Sequence, residues 1–273
     1  MPAILRAPDT FIRIGYMIFK RQIIILKKIY CELLESYERY IRKQEFYPGF
    51  GGMFINPFYH ARKVLLQEIS GLSGFINGIV LDVGCGQKPY ESLFICDRYI
   101  GLELDNPENR QNKKVDLFYD GKHIPVRDDC FDNIIIFEVF EHVFNPDEFV
   151  AELYRVLKPG GAMLMTAPFA WDEHSQPYDY ARYSSFGLKF ILEKHGFEIL
   201  EQRKTLADIR ILFQLINSYI FGFLNTHNTN INMCLCFIFM SPLNILGQVL
   251  YKIIPKNEDL YLDNVILGKK VII

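Results

Sequence analysis

Val80-Leu81-Asp82-Val83-Gly84-Cys85-Gly86 is the stretch on which the fold turns. Ile79 to Leu81 is a short apolar run, and it leads directly into Asp82-Val83-Gly84-Cys85-Gly86, the pattern of a strand entering a glycine turn. Glycine lets the backbone turn sharply and approach a ligand closely. A second strand fits Tyr99 to Glu103, and the β-branched and aromatic run Phe131 to Phe137 fits a buried parallel strand.

Helices alternate with these runs. One fits Pro57 to Ser70. Another is signposted by Asn145 as N-cap, Pro146 at the first helical position, and Asp147 and Glu148 at the positive end of the dipole. Phe149, Leu153, Val156 and Leu157 form its apolar stripe, and Lys158-Pro159-Gly160-Gly161 stops it before a strand over Ala162 to Ala167. A helix over Ser185 to His195 ends on Gly196, a strand over Phe197 to Gln202 follows, and Asp259 to Ile273 reads as one more strand. The alternation implies an α/β fold, with a parallel sheet and helices on both faces.

Outside this core the composition changes. Thr10 to about Glu45 reads as one long amphipathic helix, with Ile12, Tyr16, Phe19, Ile23, Leu26, Tyr30, Leu33, Tyr37 and Tyr40 three or four apart. Its other face carries Arg13, Lys20 and Lys27. From Ile211 through Tyr251 there is no Asp, Glu, Lys or Arg, and Asn225 to Asn230 splits the stretch into two apolar halves. Ile211 to Leu224 is too short to span a bilayer, which takes about 20 helical residues, and Met233 to Ile254 carries Pro242 in its middle. A surface-lying or re-entrant hairpin fits better than a transmembrane pair, and the basic N-terminal helix adds attraction to anionic lipid. The competing reading packs both elements on the domain or in a dimer interface.

The 273 residues carry a net charge of −2 and are half hydrophobic, which argues against disorder and against a nucleic-acid-binding surface. Six cysteines lie without C-x-x-C pairs or histidines at zinc-finger spacing, as expected of reduced thiols in a cytosolic protein without a structural metal. The first apolar run is broken by Arg13, Lys20 and Arg21, so no secretory signal is expected.

In an open parallel sheet, ligands bind beyond the carboxyl ends of the strands, where strand order reverses. Glu103 ends the second strand 17 residues past Gly86, close to the offset of about 20 expected of a carboxylate that accepts ribose hydroxyls.

Four motifs in order extend this reading: Val80 to Gly86, Ile124 to Asp132, Glu138-Val139-Phe140-Glu141-His142-Val143, and Glu152 to Gly161. Together they resemble class I S-adenosylmethionine-dependent methyltransferases, and most closely the type eleven methyltransferase-domain group. The resemblance spans residues 56 to 204 and resumes at the last strand. It implies a Rossmann-like, seven-stranded, mostly parallel sheet whose last strand is antiparallel. It also implies S-adenosylmethionine as cofactor. Asp82, Gly84 and Gly86 would line its methionine end, with Cys85 filling the turn between the glycines. Glu103 would hold the ribose, Asp120 would face the adenine amino group, and Glu138 would sit on the cofactor side of the fourth strand. Gln87-Lys88-Pro89 replaces the third glycine of many relatives, and Pro89 can still begin a helix. The expected domains are a helical extension (1–50), a methyltransferase core (51–204), an apolar, membrane-associated insertion (205–256) and a final core strand (257–273).

The acceptor side should follow the fourth and fifth strands. Trp171, His174, Asp179, Tyr180, Arg182 and Tyr183 share one loop there, which suits a polar, ring-shaped acceptor such as a sugar. The run from His174 to Ser184 is similar to that of methyltransferases associated with polysaccharide biosynthesis. His174 is the candidate general base and Asp179 its orienting partner; alternatively His174 and Arg182 only tie the loop down. His142 is expected to cap local backbone, and Asp128, Asp129 and Asp132 to be solvated or turn-forming. Methyl transfer needs no metal, and none is expected. The expected activity is O-methylation of a glycan or lipid-linked sugar, in the cytoplasm at the inner face of the membrane. Methylation of a quinone or other small lipid is an alternative. A non-catalytic membrane-associated scaffold and a nicotinamide-dependent oxidoreductase are readings of other classes, the latter disfavoured by the missing G-x-G-x-x-G. The oligomeric state is open.

Overall fold

The structure is a computed structural model. It describes residues 8–271, with side chains described from Lys20 onward except those of 22–24. The chain divides into two units, Met1–Gln44 and Glu45–Ile273. Helix α1 runs from Pro8 to Phe46. In its described part the expected stripe residues Leu26, Tyr30, Leu33, Tyr37 and Tyr40 are exposed. Ile12, Arg13, Tyr16, Phe19 and Ile23 lie outside the described side chains.

The second unit begins with the short helix α2 (Gly52–Ile55) and α3 (Tyr59–Leu72). Strands β1 (Ile79–Val83), β2 (Arg98–Leu104), β3 (Leu117–Tyr119) and β4 (Phe131–Phe137) follow. Then come α4 (Pro146–Val156), β5 (Leu157–Pro168), α5 (Ser185–Lys194) and β6 (Phe197–Lys204). Helices α6 (Arg210–Leu224), α7 (Thr229–Leu235) and α8 (Ser241–Leu250) separate β6 from the last strand, β7 (Asp263–Lys270). One π turn, Cys236–Met240, joins α7 to α8.

The sheet order is β3-β2-β1-β4-β5-β7-β6. β1 to β5 pair in parallel, and β7 lies antiparallel between β5 and β6. β1 has β2 on one side and β4 on the other, so strand order reverses there and a crevice opens beyond its carboxyl end. Successive side chains of a strand point to opposite faces. Leu81, Val83, Ile134 and Ile136 accordingly meet Phe149 and Leu153 of α4 and Leu188 of α5 on one face. Val80, Ile135, Val265 and Leu267 meet Ile69 and Leu72 of α3 on the other. Both faces are dry, which anchors the strand ends that carry the site.

Three local expectations are corrected. No α-helix follows the glycine turn: only a single 3-10 turn, Glu91–Leu93, stands there. Lys88 adopts φ 52°, which breaks the right-handed helical path just before Pro89, and Tyr90 and Phe94 cover that patch of the sheet instead. Asn145 precedes α4 as expected but makes no side-chain cap; its amide donates to Glu148 Oε2 at 3.2 Å. Lys158 to Gly161 do not separate α4 from the next strand, because β5 already begins at Leu157.

Candidate functional site

A cavity of about 980 Å3 opens beyond the ends of β1, β2 and β3 and beside the segment after β4. Gly84, Glu103, Tyr119 and Asp120 line one part; His142, Phe144, Ser175, Tyr178 and Tyr180 line another. The structure thus brings the end of the glycine turn, the acid of β2 and the loop after β5 to one space.

The first part is held largely by backbone. The Gly84 N–H donates to Leu102 O at 2.9 Å and turns the chain at φ 71°, and an added Cβ there would collide with Val139. Gly86, at φ 48°, has open space where a side chain would stand. Its N–H donates to Glu103 Oε1 at 2.7 Å, and the Asn109 amide donates to Oε2 at 3.3 Å, so both carboxylate oxygens are oriented at the cavity wall. An oriented carboxylate of this kind can still accept two hydroxyls of a diol. Burial raises the Glu103 carboxyl above the usual range. Asp120 Oδ1 accepts from the backbone of Lys122 (2.9 Å) and His123 (2.7 Å), which lowers its pKa.

The other expected cofactor residues, Asp82, Cys85, Gly86 and Glu138, are not among those lining the cavity. Asp82 is buried and accepts a 2.7 Å hydrogen bond from Tyr99 Oη; burial pushes its carboxyl up to about 7. Cys85 fills space under the turn, and burial pushes its thiol up to about 12, far from a nucleophile's range. Glu138 sits at φ 55°, and its Oε1 accepts from Thr166 Oγ1 at 2.7 Å. Burial near Asp263 and Glu141 raises its carboxyl well above the usual range.

The second part is assembled from side chains distant in sequence. His174 donates its backbone N–H to Asp179 Oδ2 at 2.9 Å, and its Nδ1 lies 3.3 Å from the same oxygen. Arg182 grips both oxygens of Asp179 at 2.5 and 2.6 Å and reaches Asp172 O at 2.9 Å. The guanidinium holds the Asp179 carboxyl down to about 2. Orientation of His174 and tethering of the loop, the two alternatives read from the sequence, therefore share one carboxylate.

His142 differs from its expected role. Its Nδ1 lies 2.6 Å from Tyr178 O, 36 residues away, so it ties the distant loop rather than capping local backbone. Its ring meets that of His174 edge-on, centroids 4.8 Å apart. Between them stands Glu141, fully buried, with Oε1 3.7 Å from His142 Nε2 and 3.6 Å from His174 Nε2. That carboxylate is the leading cause that raises the His174 imidazole above its ordinary value. Sequence reading gave Glu141 no role; its one signal was an acid directly before His142 in the motif after β4.

Two further expectations change. Trp171 does not line the cavity: it packs edge-on against Phe58, centroids 5.7 Å apart, beside a buried cluster of Ala61, Leu206 and Leu262. Of the acids expected to be solvated or turn-forming, Asp128 and Asp129 are exposed in a turn and also meet Arg155 (2.7 Å) and Lys270 (2.8 Å), whereas Asp132 is paired with Lys158 (2.6 Å). Asp132 also accepts the Ile79 N–H at 2.8 Å and fixes the start of β1.

A seven-stranded sheet of this order, with a glycine turn and an oriented carboxylate at its switch point, is a Rossmann-like fold. A family profile described as "Methyltransferase domain" matches residues 81–165. A Mycolicibacterium smegmatis protein named "Probable S-adenosylmethionine-dependent methyltransferase" is 31% identical over 134 residues, covering 44% of this chain. The chain spans about half the length of that curated relative, 52%. A structure of Haemonchus contortus phosphoethanolamine N-methyltransferase 2, in complex with phosphomonomethylethanolamine and S-adenosylhomocysteine, superposes with a TM-score of 0.50 at 18% identity. The match covers 82% of this chain and 56% of that one, a likeness of fold. A methyltransferase of Archaeoglobus fulgidus gives a TM-score of 0.47 at 18% identity, over 85% of this chain and 99% of that one. The profile and the curated relative support a methyltransferase that uses S-adenosylmethionine.

Proposed function

We propose that the chain is an S-adenosylmethionine-dependent methyltransferase that O-methylates a glycan or lipid-linked sugar at the inner face of a membrane. The observation that carries it is the single cavity with an oriented ribose acid at one part and a polar loop bearing Tyr178, Tyr180 and His142 at the other. The cofactor, when bound, supplies an activated methyl group on a sulfonium. The chain contributes position and a proton acceptor. Glu103 would hold the ribose and Asp120 the adenine amino group, with Gly84 and Gly86 leaving room for the methionine end. Asp82 would face its ammonium through the turn, and Glu138 would set the floor where β4 ends. Proton acceptors near the acceptor hydroxyl are the imidazoles of His142, on the wall, and His174, held by Asp179.

Membrane contact rests on an inversion of polarity in the insertion. On α6 the outward residues Leu212, Ile216, Tyr219 and Phe223 are apolar, whereas Gln214, Asn217 and Ser218 face inward. Likewise α8 exposes Ile245, Leu246 and Val249 and buries Ser241 and Asn244. The inner polar groups are paired: Asn217 Nδ2 donates to Asn244 Oδ1 at 2.9 Å, and Gln214 joins Ala61 N and Pro57 O at 3.1 Å. Water-facing helices normally show the opposite arrangement. Thr229–Leu250 is long and apolar enough to cross a membrane. Its buried polar contacts to α3 and α6 favour a surface position, with the apolar face laid into the interface. Ser218 Oγ bonds Asp172 at 3.1 Å, which links this face to the acceptor loop.

The test is methyl transfer from labelled S-adenosylmethionine to isolated bacterial membrane glycolipids. Label in a fraction released by cleavage of the sugar supports the proposal. Label retained on the lipid or a quinone moves the acceptor to the alternative, and no label in any fraction from a cofactor-binding sample leaves the scaffold reading.

A further inference from the structure

Glu141 is fully buried, and neither of its carboxylate oxygens has a hydrogen-bond partner. A buried carboxylate without a hydrogen bond is costly unless a cation or a proton stands beside it. Both histidines turn a nitrogen toward it. One donor atom from each of Glu141, His142 and His174 lies within 4.8 Å of the other two.

The remote sides of both rings are equally telling. His142 Nδ1 faces the Tyr178 carbonyl at 2.6 Å, and His174 Nδ1 faces the Asp172 carbonyl and the Asp179 carboxylate, each at 3.3 Å. Such acceptors fix the tautomer with hydrogen on Nδ1, which leaves the Nε2 lone pairs directed at Glu141. Metal-binding histidines characteristically have this outer support from carbonyls or carboxylates.

We infer that Glu141, His142 and His174 form a binding site for a divalent transition-metal ion of the zinc type. Nitrogen and oxygen donors at 2.0–2.2 Å in a tetrahedral site stand about 3.3–3.5 Å apart. The N···O separations of 3.6 and 3.7 Å need only a small inward adjustment to reach that range. Two imidazoles and one carboxylate leave at least one coordination position for an exogenous ligand. His142 and Ser175, next to His174, line the cavity, so the ion would sit in its acceptor-side wall. Resting on the proposed function, a hydroxyl oxygen of the acceptor is the ligand that position would take. The two histidines then serve as metal ligands instead of proton acceptors, and the hydroxyl proton, made labile by the metal, passes to cavity water as the oxygen takes the methyl group.

The experiment titrates the full-length, chelator-treated protein with Zn2+ by calorimetry, with S-adenosylhomocysteine binding measured separately. One Zn2+ per chain is expected, weakened at least about 100-fold in His142→Ala, in His174→Ala and in Glu141→Gln. A Cys31→Ser/Cys234→Ser variant should bind as the wild type does. Should Glu141→Gln not fold, the two histidine variants decide. Absence of saturable binding by the wild type, or wild-type affinity in a His142→Ala/His174→Ala double variant, overturns the site. Zinc binding without S-adenosylhomocysteine binding would leave the metal site standing and remove the methyltransferase reading; the reverse result would do the opposite.

Discussion

The two parts of the cavity are built by different means. Around Gly84, Gly86 and Glu103 the geometry comes from backbone turns at strand ends, with Gly84 bonded to Leu102 and Gly86 to Glu103, 18 and 17 residues away. Around Glu141, His142 and His174 it comes from side chains of two separate segments, joined across 36 residues by the His142–Tyr178 bond. A turn fixed by a sheet is as rigid as the sheet, whereas a loop held by ion pairs can be loosened without touching the fold. That difference lets the loop-built part of the cavity change while the sheet-built part stays fixed.

The sharpest test of this division is Arg182→Ala. It strips the guanidinium from Asp179, an almost buried carboxylate at 4% side-chain exposure, and leaves it only the His174 N–H and imidazole. The expected loss is roughly 3 kcal/mol, the scale for breaking a buried charge pair. Urea unfolding should show that loss while S-adenosylhomocysteine affinity stays at the wild-type value. An equal loss of affinity would mean the two halves are not independent.

Next in size is Gly84→Ala, in which a Cβ meets Val139 at a positive φ. About 2 kcal/mol of destabilisation is expected, together with lost S-adenosylhomocysteine binding. The contrast with Arg182→Ala is the point, because here stability and binding should fall together.

A pH series separates the halves again. The Asp82 carboxyl, raised to about 7 by burial, holds a proton in the folded state that the unfolded chain releases near 4. Its stabilisation is therefore present at low pH and lost as pH rises through about 7. Asp179 acts in the opposite direction: its carboxyl is depressed to about 2, so its contribution is present above about 4 and lost on further acidification. Unfolding measured from pH 3 to 8 should show Asp82→Asn flattening the neutral limb only. A change in the acid limb instead would contradict the assignment.

The smallest effect expected is at the junction of the halves. Asn145→Ala should cost less than about 0.5 kcal/mol by thermal unfolding, since Asn145 makes no cap. A loss above about 1 kcal/mol would restore the sequence-based reading of a working cap.

The legibility of the sequence follows the same division. The glycine turn, the start of α4 at Pro146 and every strand but the three-residue β3 depend on neighbours in sequence, and their residues announced them. The absence of an α-helix after the turn was not announced, because Pro89 permits a helix start whereas the chain forms only the 3-10 turn Glu91–Leu93 there. Trp171 looked like part of a sugar platform, but its partner Phe58 lies 113 positions earlier in a helix-flanking segment. Glu141 was invisible as a site residue for the same reason: its burial is created by the loop after β5, folded back by Arg182 and His142. Residues whose surroundings are long-range carry no local pattern to read.

The central claim is that the switch-point cavity binds S-adenosylmethionine through Glu103. Thermal unfolding with S-adenosylhomocysteine, with NAD and without ligand tests it most directly. Ligand at a hundred times its dissociation constant should add about 2.7 kcal/mol of stability and raise the midpoint visibly. The account predicts that shift with S-adenosylhomocysteine alone, and its reduction to between about 1.4 and about 0.4 kcal/mol when Glu103→Ala weakens binding by about tenfold to a hundredfold. A well-folded protein that shifts only with NAD, or a Glu103→Ala variant that shifts as the wild type does, would contradict it.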